Sequence, residues 1–225
     1  MIGNPAEYAK KYYNEGADEL IYSDVVASLY GRNSLHDVIR STASEIFVPL
    51  TVGGGVRSTH DVASLLSVGA DKVSINTAAV ANKNLISEIS SQFGSQCCVI
   101  EVQAKKIKPH KWLVMVENGR EPAGMDVLEW VQQAEELGAG EILLTSIDRD
   151  GTRLGTDINL ITEVTEMVTV PVIASGGVGK PEDVTDALVS TRLHSIAIGS
   201  LFHYDCATIN DVKAAVFAAN LDVRK

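Results

Sequence analysis

The sequence predicts an α/β fold of the (β/α)8 TIM-type barrel, built from two half-barrel repeats. It is expected to span residues 1–225 as a single domain, short by about one strand at its N-terminus. Three observations carry this expectation. Short apolar runs alternate with helical patterns, three of those runs recur at one near-constant offset, and two glycine-rich loops stand at equivalent places in the repeat. With 225 residues, 45% of them hydrophobic, the chain can bury one substantial core.

The chain opens on a helix. Asn4-Pro5-Ala6-Glu7 supplies an N-cap, a proline at the first helical position and an acid in the first turn, and Gly16 can close the helix. ELIYSD (19–24) is a short apolar run that turns polar at its end, as a buried strand does on reaching a rim. FVPLTV (47–52) precedes a helix starting at Ser58, and DKVSIN (71–76) precedes one starting near Asn82. CCVIEVQA (97–104) is the next strand, WLVMVENG (112–119) reads as a hairpin arm, and a helix follows from about Val127 to Leu137 with Gly138 after it. EILLTS (141–146), PVIAS (171–175) and SIAIGS (195–200) are three further strands, each leading into a loop and a helical pattern. Parallel neighbours need a helical crossover, and this alternation provides one each time.

The internal repeat selects the barrel over an open doubly wound sheet. GADELIYSD (16–24) lies over GAGEILLTS (138–146), pairing Gly16, Ala17 and Glu19 with Gly138, Ala139 and Glu141 at an offset of 122. PLTVGGGV (49–56) lies over PVIASGGV (171–178) at the same offset, and DKVSINT (71–77) over HSIAIGS (194–200) at 123. The same subtraction puts the mate of the 97–104 strand upstream of Met1, so the first barrel strand is expected to be absent and two strand edges exposed.

Catalytic groups of such barrels stand at the carboxyl ends of the strands. Two glycine loops stand there, Gly53-Gly54-Gly55 and Ser175-Gly176-Gly177. Each is followed one unit later by a hydroxyl at a strand end, Thr77 after Asn76 and Ser200 after Gly199. Glycines let backbone N–H groups approach an anion and hydroxyls add donors. The pair therefore predicts two phosphate sites on opposite sides of the mouth, and a ligand with a phosphate at each end. Asp24, Gln103 and Asp150 lie on the same rim, with Asp148 expected to cap or to pair with Arg149. His203 is read as a structural histidine, Cys97 and Cys98 as core filler, and Trp112 and Trp130 as packing residues. Glu19, Lys72 and Glu141 begin their strands and so gather at the opposite, amino end of the barrel.

Composition narrows the partners. With 19 Lys plus Arg against 29 Asp plus Glu, the net charge of -10 disfavours nucleic acid and anionic membrane. Three cysteines form no disulfide framework, and no zinc-ligand spacing is present, so neither a metal nor another cofactor is expected. A reduced, cytoplasmic setting fits, and the N-terminus is too polar for a signal peptide.

Taken together, GADELIYSDVVAS, PLTVGGGVRS, GADKVSINTAAV, FGSQCCVIEVQAKK, GAGEILLTSIDRDGT, PVIASGGVGK and IGSLFH resemble the cyclase subunit of imidazole glycerol phosphate synthase, of histidine biosynthesis, over essentially the whole chain. The resemblance implies a barrel that binds a bisphosphate aminoimidazole-carboxamide ribonucleotide. It also implies a glutaminase subunit docked on the barrel bottom as heterodimer partner, whose ammonia passes through the barrel to give imidazole glycerol phosphate. By resemblance Gly54, Gly55, Thr77, Gly176, Gly177 and Ser200, with Asn76 and Gly199 beside them, match phosphate-binding positions, and Asp24, Asn76 and Asp150 match active-site positions. Glu19, Lys72 and Glu141 match a charged gate, and Asp71 matches a glutaminase-docking position. The family's acid/base pair is two aspartates. One falls on the absent first strand, and Gln103 replaces the other. An amide exchanges no proton near neutral pH, so the resemblance carries over the binding scaffold rather than the cyclase chemistry. The stretch SLYGRNSLHDVI (28–39) is similar to a paralogous branch that relays ammonia for amidination of nucleotide sugars of surface polysaccharides, and a non-catalytic glutaminase-binding scaffold is a third expectation.

Overall fold

Helix α1 (Pro5–Asn14) begins where the capping signal puts it, with the Asn4 side chain accepting from the Ala6 N–H at 3.0 Å. It belongs to a computed structural model that describes residues 3–24 and 33–224. The strands are β1 (Leu20–Ser23), β2 (Leu50–Gly53), β3 (Lys72–Ile75), β4 (Cys98–Lys108), β5 (Lys111–Val116), β6 (Glu121–Asp126), β7 (Glu141–Ser146), β8 (Val172–Ser175) and β9 (Ser195–Ala197). Seven of them, in the order β1-β2-β3-β4-β7-β8-β9, form a parallel sheet that curls into a nearly closed barrel. Among the described residues β1 and β9 are its two edges.

Helices α2 (Asn33–Ala43), α3 (Thr59–Ser67), α5 (Asn84–Phe93), α6 (Val127–Glu136), α7 (Ile158–Met167), α8 (Pro181–Ser190) and α10 (Ile209–Ala218) form the outer layer. The main core lies between the two layers. Leu50, Val52, Val73, Ile75, Cys98, Ile100, Val102, Ile142, Leu144 and Ala174 point outward from the strands into it, and Trp112 and Trp130 are both buried there as expected. Inside the barrel a separate, thinner apolar layer is made by Val99, Leu143 and Ile173, with Ile21 and Ala197 against it. Burying each large member of that layer contributes about 1.5–3 kcal/mol.

The sequence repeat is a repeat in three dimensions. Leu20 to Ser23 pair with Leu50 to Gly53, and Ile142 to Thr145 pair with Val172 to Ser175, the same register shifted by 122. Asp61 accepts from the Arg57 N–H at 3.0 Å at the start of α3, and Asp183 accepts from the Gly179 N–H at 2.8 Å at the start of α8, again 122 apart.

Three features go beyond the sequence reading. A five-residue helix α4 (Thr77–Ala81) precedes α5, and a four-residue helix α9 (Ser200–His203) follows β9. The hairpin has a second arm, β6, which Pro122 and Gly124 disguise as loop. Strand β4 runs on past the barrel to carry this hairpin, so Gln103 pairs with Thr145 of β7 on one side and Met115 of β5 on the other. The left-handed turn at Glu117, Asn118 and Gly119 (φ 51°, 56° and 78°) folds it back. Cys97 lies in a single 3-10 turn, partly exposed, rather than on the strand; only Cys98 is core, and burial pushes its thiol up to about 12.

Candidate active site at the barrel mouth

The two glycine loops adopt matching conformations at the carboxyl ends of β2 and β8. Gly54 and Gly176 both have φ of 99°, and Gly55 and Gly177 have 71° and 96°, a region L side chains rarely occupy. A Cβ on Gly54 would lie 2.2 Å from the Asp24 carbonyl oxygen, and one on Gly176 would lie 2.9 Å from that of Ser146, the residue 122 positions on. Both loops therefore need glycine twice over, for the turn and for the close approach to the neighbouring strand end.

The hydroxyls match as well. Thr77 and Ser200 are the first residues of α4 and α9. The residues before them, Asn76 (φ −124°, ψ −85°) and Gly199 (φ −107°, ψ −74°), share an uncommon backbone shape, and neither helix carries a side-chain cap. On the first side the hairpin reaches over the mouth. Asn76 Nδ2 donates to the Met115 carbonyl at 3.1 Å, and Thr77 Oγ1 accepts from the Glu117 N–H at 3.0 Å.

Asp24 follows β1, its N–H donating to the Gly53 carbonyl at 2.9 Å. Asp150 lies exposed beside Gly176, its N–H bonded to the Ser146 carbonyl at 2.9 Å. Asp148 pairs with Lys105 instead of Arg149 and accepts from the Lys106 N–H at 2.7 Å. Extension of β4 past the barrel brings those two lysines within reach, which sequence spacing does not reveal. Burial works to raise the Asp148 carboxyl, but Lys105 and Lys106 outweigh it and hold it below the usual range. An open groove lined by Lys106, Lys108, Arg149 and Asp157 lies against the β4 extension, its Arg149 packed beside Gly177.

Strand pleating places Val99, Glu101 and Gln103 of β4 on the inward face, beside Glu141, Leu143 and Thr145 of β7. Gln103 Nε2 donates to Glu101 Oε1 at 2.7 Å. Burial pushes the Glu101 carboxyl up, and the Gln103 hydrogen bond only partly offsets it. Glu101 is not among the site residues expected from sequence. The signal was there, an acid in alternation with Val99 and Gln103 inside an apolar strand.

At the amino end of the barrel, Lys72 Nζ lies 3.0 Å from Glu19 Oε2 and 2.7 Å from Glu141 Oε1, so the three expected gate residues meet. Burial works against the lysine's charge, yet the two carboxylates overcome it and raise its pKa. Asp71 accepts from the Leu50 N–H at 2.8 Å, which fixes it at the strand entrance. Between floor and mouth, Thr51 Oγ1, Ser74 Oγ, Gln103 Oε1 and Glu141 Oε2 are buried with no hydrogen-bond partner among the described residues. No group of three or more His, Cys, Asp or Glu among the described residues could hold a metal, and no helix there is long and apolar enough to cross a membrane.

Residues 1–208 match the family model described as histidine biosynthesis protein. The chain belongs to the histidine biosynthesis protein family. It is 57% identical over 183 residues to imidazole glycerol phosphate synthase subunit HisF of Legionella pneumophila, covering 81% of this chain and 86% of the relative. It is 48% identical over 223 residues to the subunit of the same name from Bacillus cereus (strain ATCC 10987 / NRS 248), covering 99% of this chain and 88% of the relative. These family members support the synthase reading over the sugar-amidination one. The stretch that suggested the latter lies in part outside the described residues.

Proposed function

We propose that this protein is the cyclase-type subunit of a glutamine-dependent synthase, binding a bisphosphate aminoimidazole-carboxamide ribonucleotide across its mouth. The observation that carries the reading is the doubled glycine loop: Gly54-Gly55 with Thr77 on one side, Gly176-Gly177 with Ser200 on the other, alike in backbone shape. Each end offers backbone N–H donors and a hydroxyl to one phosphate, and the distance between them is bridged by the sugar and the heterocycle. Asp24, Asn76 and Asp150 stand between the two ends and orient the ligand.

On the same reading a glutaminase subunit docks at the amino end of the strands, with Asp71 on the docking face and the Glu19, Lys72 and Glu141 cluster as the gate. Ammonia released there enters a lumen in which Thr51 Oγ1, Ser74 Oγ, Gln103 Oε1 and Glu141 Oε2 have no partner among the described residues, an environment hospitable to a small polar molecule. Gln103 cannot move a proton, so cyclisation with free ammonia needs another acid or base at the mouth. The setting is a cytoplasmic biosynthetic pathway, in keeping with three unpaired cysteines.

Titration calorimetry with the bisphosphate ribonucleotide tests the ligand. Binding is expected, weakened at least tenfold in a Gly176→Ala, Ser200→Ala double variant; no heat with either protein refutes the two-phosphate reading. Co-purification with a glutaminase subunit, and its loss in Lys72→Glu, tests the docking face.

A further inference from the structure

We infer that Glu101 is the group that moves protons at the barrel mouth, its carboxyl facing the reacting end of a ligand held between the two glycine loops. The inference rests on the cyclase-type reading above. On β4 the inward-facing residues are Val99, Glu101 and Gln103, about 6.6 Å apart along the strand. The two side chains of Glu101 and Gln103, equal in length, close that distance end to end, with Glu101 Oε1 2.7 Å from Gln103 Nε2. A carboxyl thus lies directly beside the residue 103 amide.

The Gln103 amide holds one carboxyl oxygen, and a carboxylate has about four lone-pair sites on its two oxygens, so acceptor capacity remains for a ligand. Gln103 is then a positioning residue: its amide transfers no proton but aims the group that does.

Among the inward-facing neighbours, Val99, Leu143, Thr145 and Gln103 have no proton to exchange near neutral pH, whereas Glu101 carries an ionisable carboxyl. Burial raises its pKa toward the working range of a group that must both take and give a proton. As the ammonia nitrogen bonds to a carbonyl carbon, Glu101 takes one proton from that nitrogen. It returns that proton to the former carbonyl oxygen, and a second transfer from the same nitrogen lets the oxygen leave as water while the carbon–nitrogen double bond forms, so that Glu101 ends in its starting state. The other charged groups around it are Lys72 of β3, Glu141 of β7 and Glu19 before β1, paired with one another at the floor below, and Asp24 and Asp150 at the rim.

The test uses the full chain with ammonium as nitrogen donor, together with calorimetry of bisphosphate ribonucleotide binding in two buffers of different ionisation enthalpy. Glu101→Gln is expected to lower kcat by about 100-fold or more with KM changed less than threefold, the scale of a lost acid/base group. Glu101→Asp is expected to recover part of the rate. Gln103→Leu is expected to shift the acidic limb of the pH–rate profile without abolishing turnover. Wild-type binding is expected to be linked to proton exchange, and Glu101→Gln binding is not. A Glu101→Gln kcat within threefold of wild type, or an unchanged proton count, overturns the assignment. Ligand binding without wild-type turnover refutes the cyclase reading alone, and the proton count still decides on Glu101. Absence of wild-type binding refutes both.

Discussion

The two halves of this barrel share a backbone but not a chemistry. Strands β1 to β3 and β7 to β9 repeat their register, their glycine loops and the short helices that follow, to within one residue of a 122-residue shift. Above that common frame they diverge. The β5–β6 hairpin, carried on β4 at the head of the second half, reaches over the first half and ties down Asn76 and Thr77. In the second half the loop after β7 folds onto the glycines, with the Gly155 N–H donating to the Gly177 carbonyl at 2.9 Å. The lesson is a division of labour. Symmetric backbone builds two like anion-binding ends, and asymmetric side chains, with Glu101 and Gln103 on the strand that joins the halves, give the ligand a direction.

The largest expected effect separates the two glycine loops. Alanine at Gly54 or Gly176 meets the same left-handed strain of about 1–2 kcal/mol, but the added Cβ is 2.2 Å from a backbone oxygen in one and 2.9 Å in the other. Overpacking against rigid backbone adds about 1–3 kcal/mol. Gly54→Ala should therefore destabilise by about 3–4 kcal/mol in urea unfolding and Gly176→Ala by about 2, and an equal or reversed order would break the distinction.

A smaller contrast concerns the hydroxyls. Each is expected to give one hydrogen bond to a charged phosphate oxygen, with a contribution of about 1.5–3 kcal/mol. Ser200→Ala should then weaken ribonucleotide binding roughly tenfold. Thr77→Ala should weaken it further and also loosen the hairpin, because the Glu117 N–H loses its acceptor. Thr77→Ser should restore both. Calorimetry and hydrogen exchange at 112–119 distinguish the two, and identical behaviour of the alanine variants would show that the hairpin contributes nothing to the first site.

Much of the frame was legible because it is written in patterns of period and offset. The helix caps at Asn4 and Ser58, the seven barrel strands and the glycine loops all have local signatures, and the repeat ties them into one architecture. What escaped was what depends on distant neighbours. Strand β6 contains Pro122 and Gly124 and, among the described residues, pairs with β5 and no other strand. Asp148 finds Lys105 only because β4 outruns the barrel. Glu101 looked like an ordinary acid in a strand until the register placed it inside the lumen beside Gln103. The charged floor was foreseen, since strand starts and the repeat put Glu19 and Glu141 at the same level as Lys72.

The halves meet at a seam where β1 and β9 do not pair with each other among the described residues, and there the smallest effects are expected. Side chains bridge it in place of a ladder. The Tyr12 hydroxyl and His203 Nδ1 are 2.6 Å apart, Lys11 lies 2.6 Å from Asp205, and Lys213 lies 2.9 Å from Asp18. Tyr8, Tyr12 and Phe202 pack around the histidine. Tyr12→Phe removes one hydrogen bond and should cost about 1 kcal/mol, with faster hydrogen exchange in β1 and β9 than in β4 and β7. Burial, helped by Lys11, depresses the His203 pKa, so the folded state favours the neutral ring. The stability this gives is present above the unfolded histidine value of about 6.5 and declines as pH falls through it toward the lower folded value. Wild-type stability should therefore drop in the window below about pH 6.5, and His203→Gln should flatten that part of the profile. A wild-type profile that does not fall in this window would show that the seam is held by the aromatic packing alone.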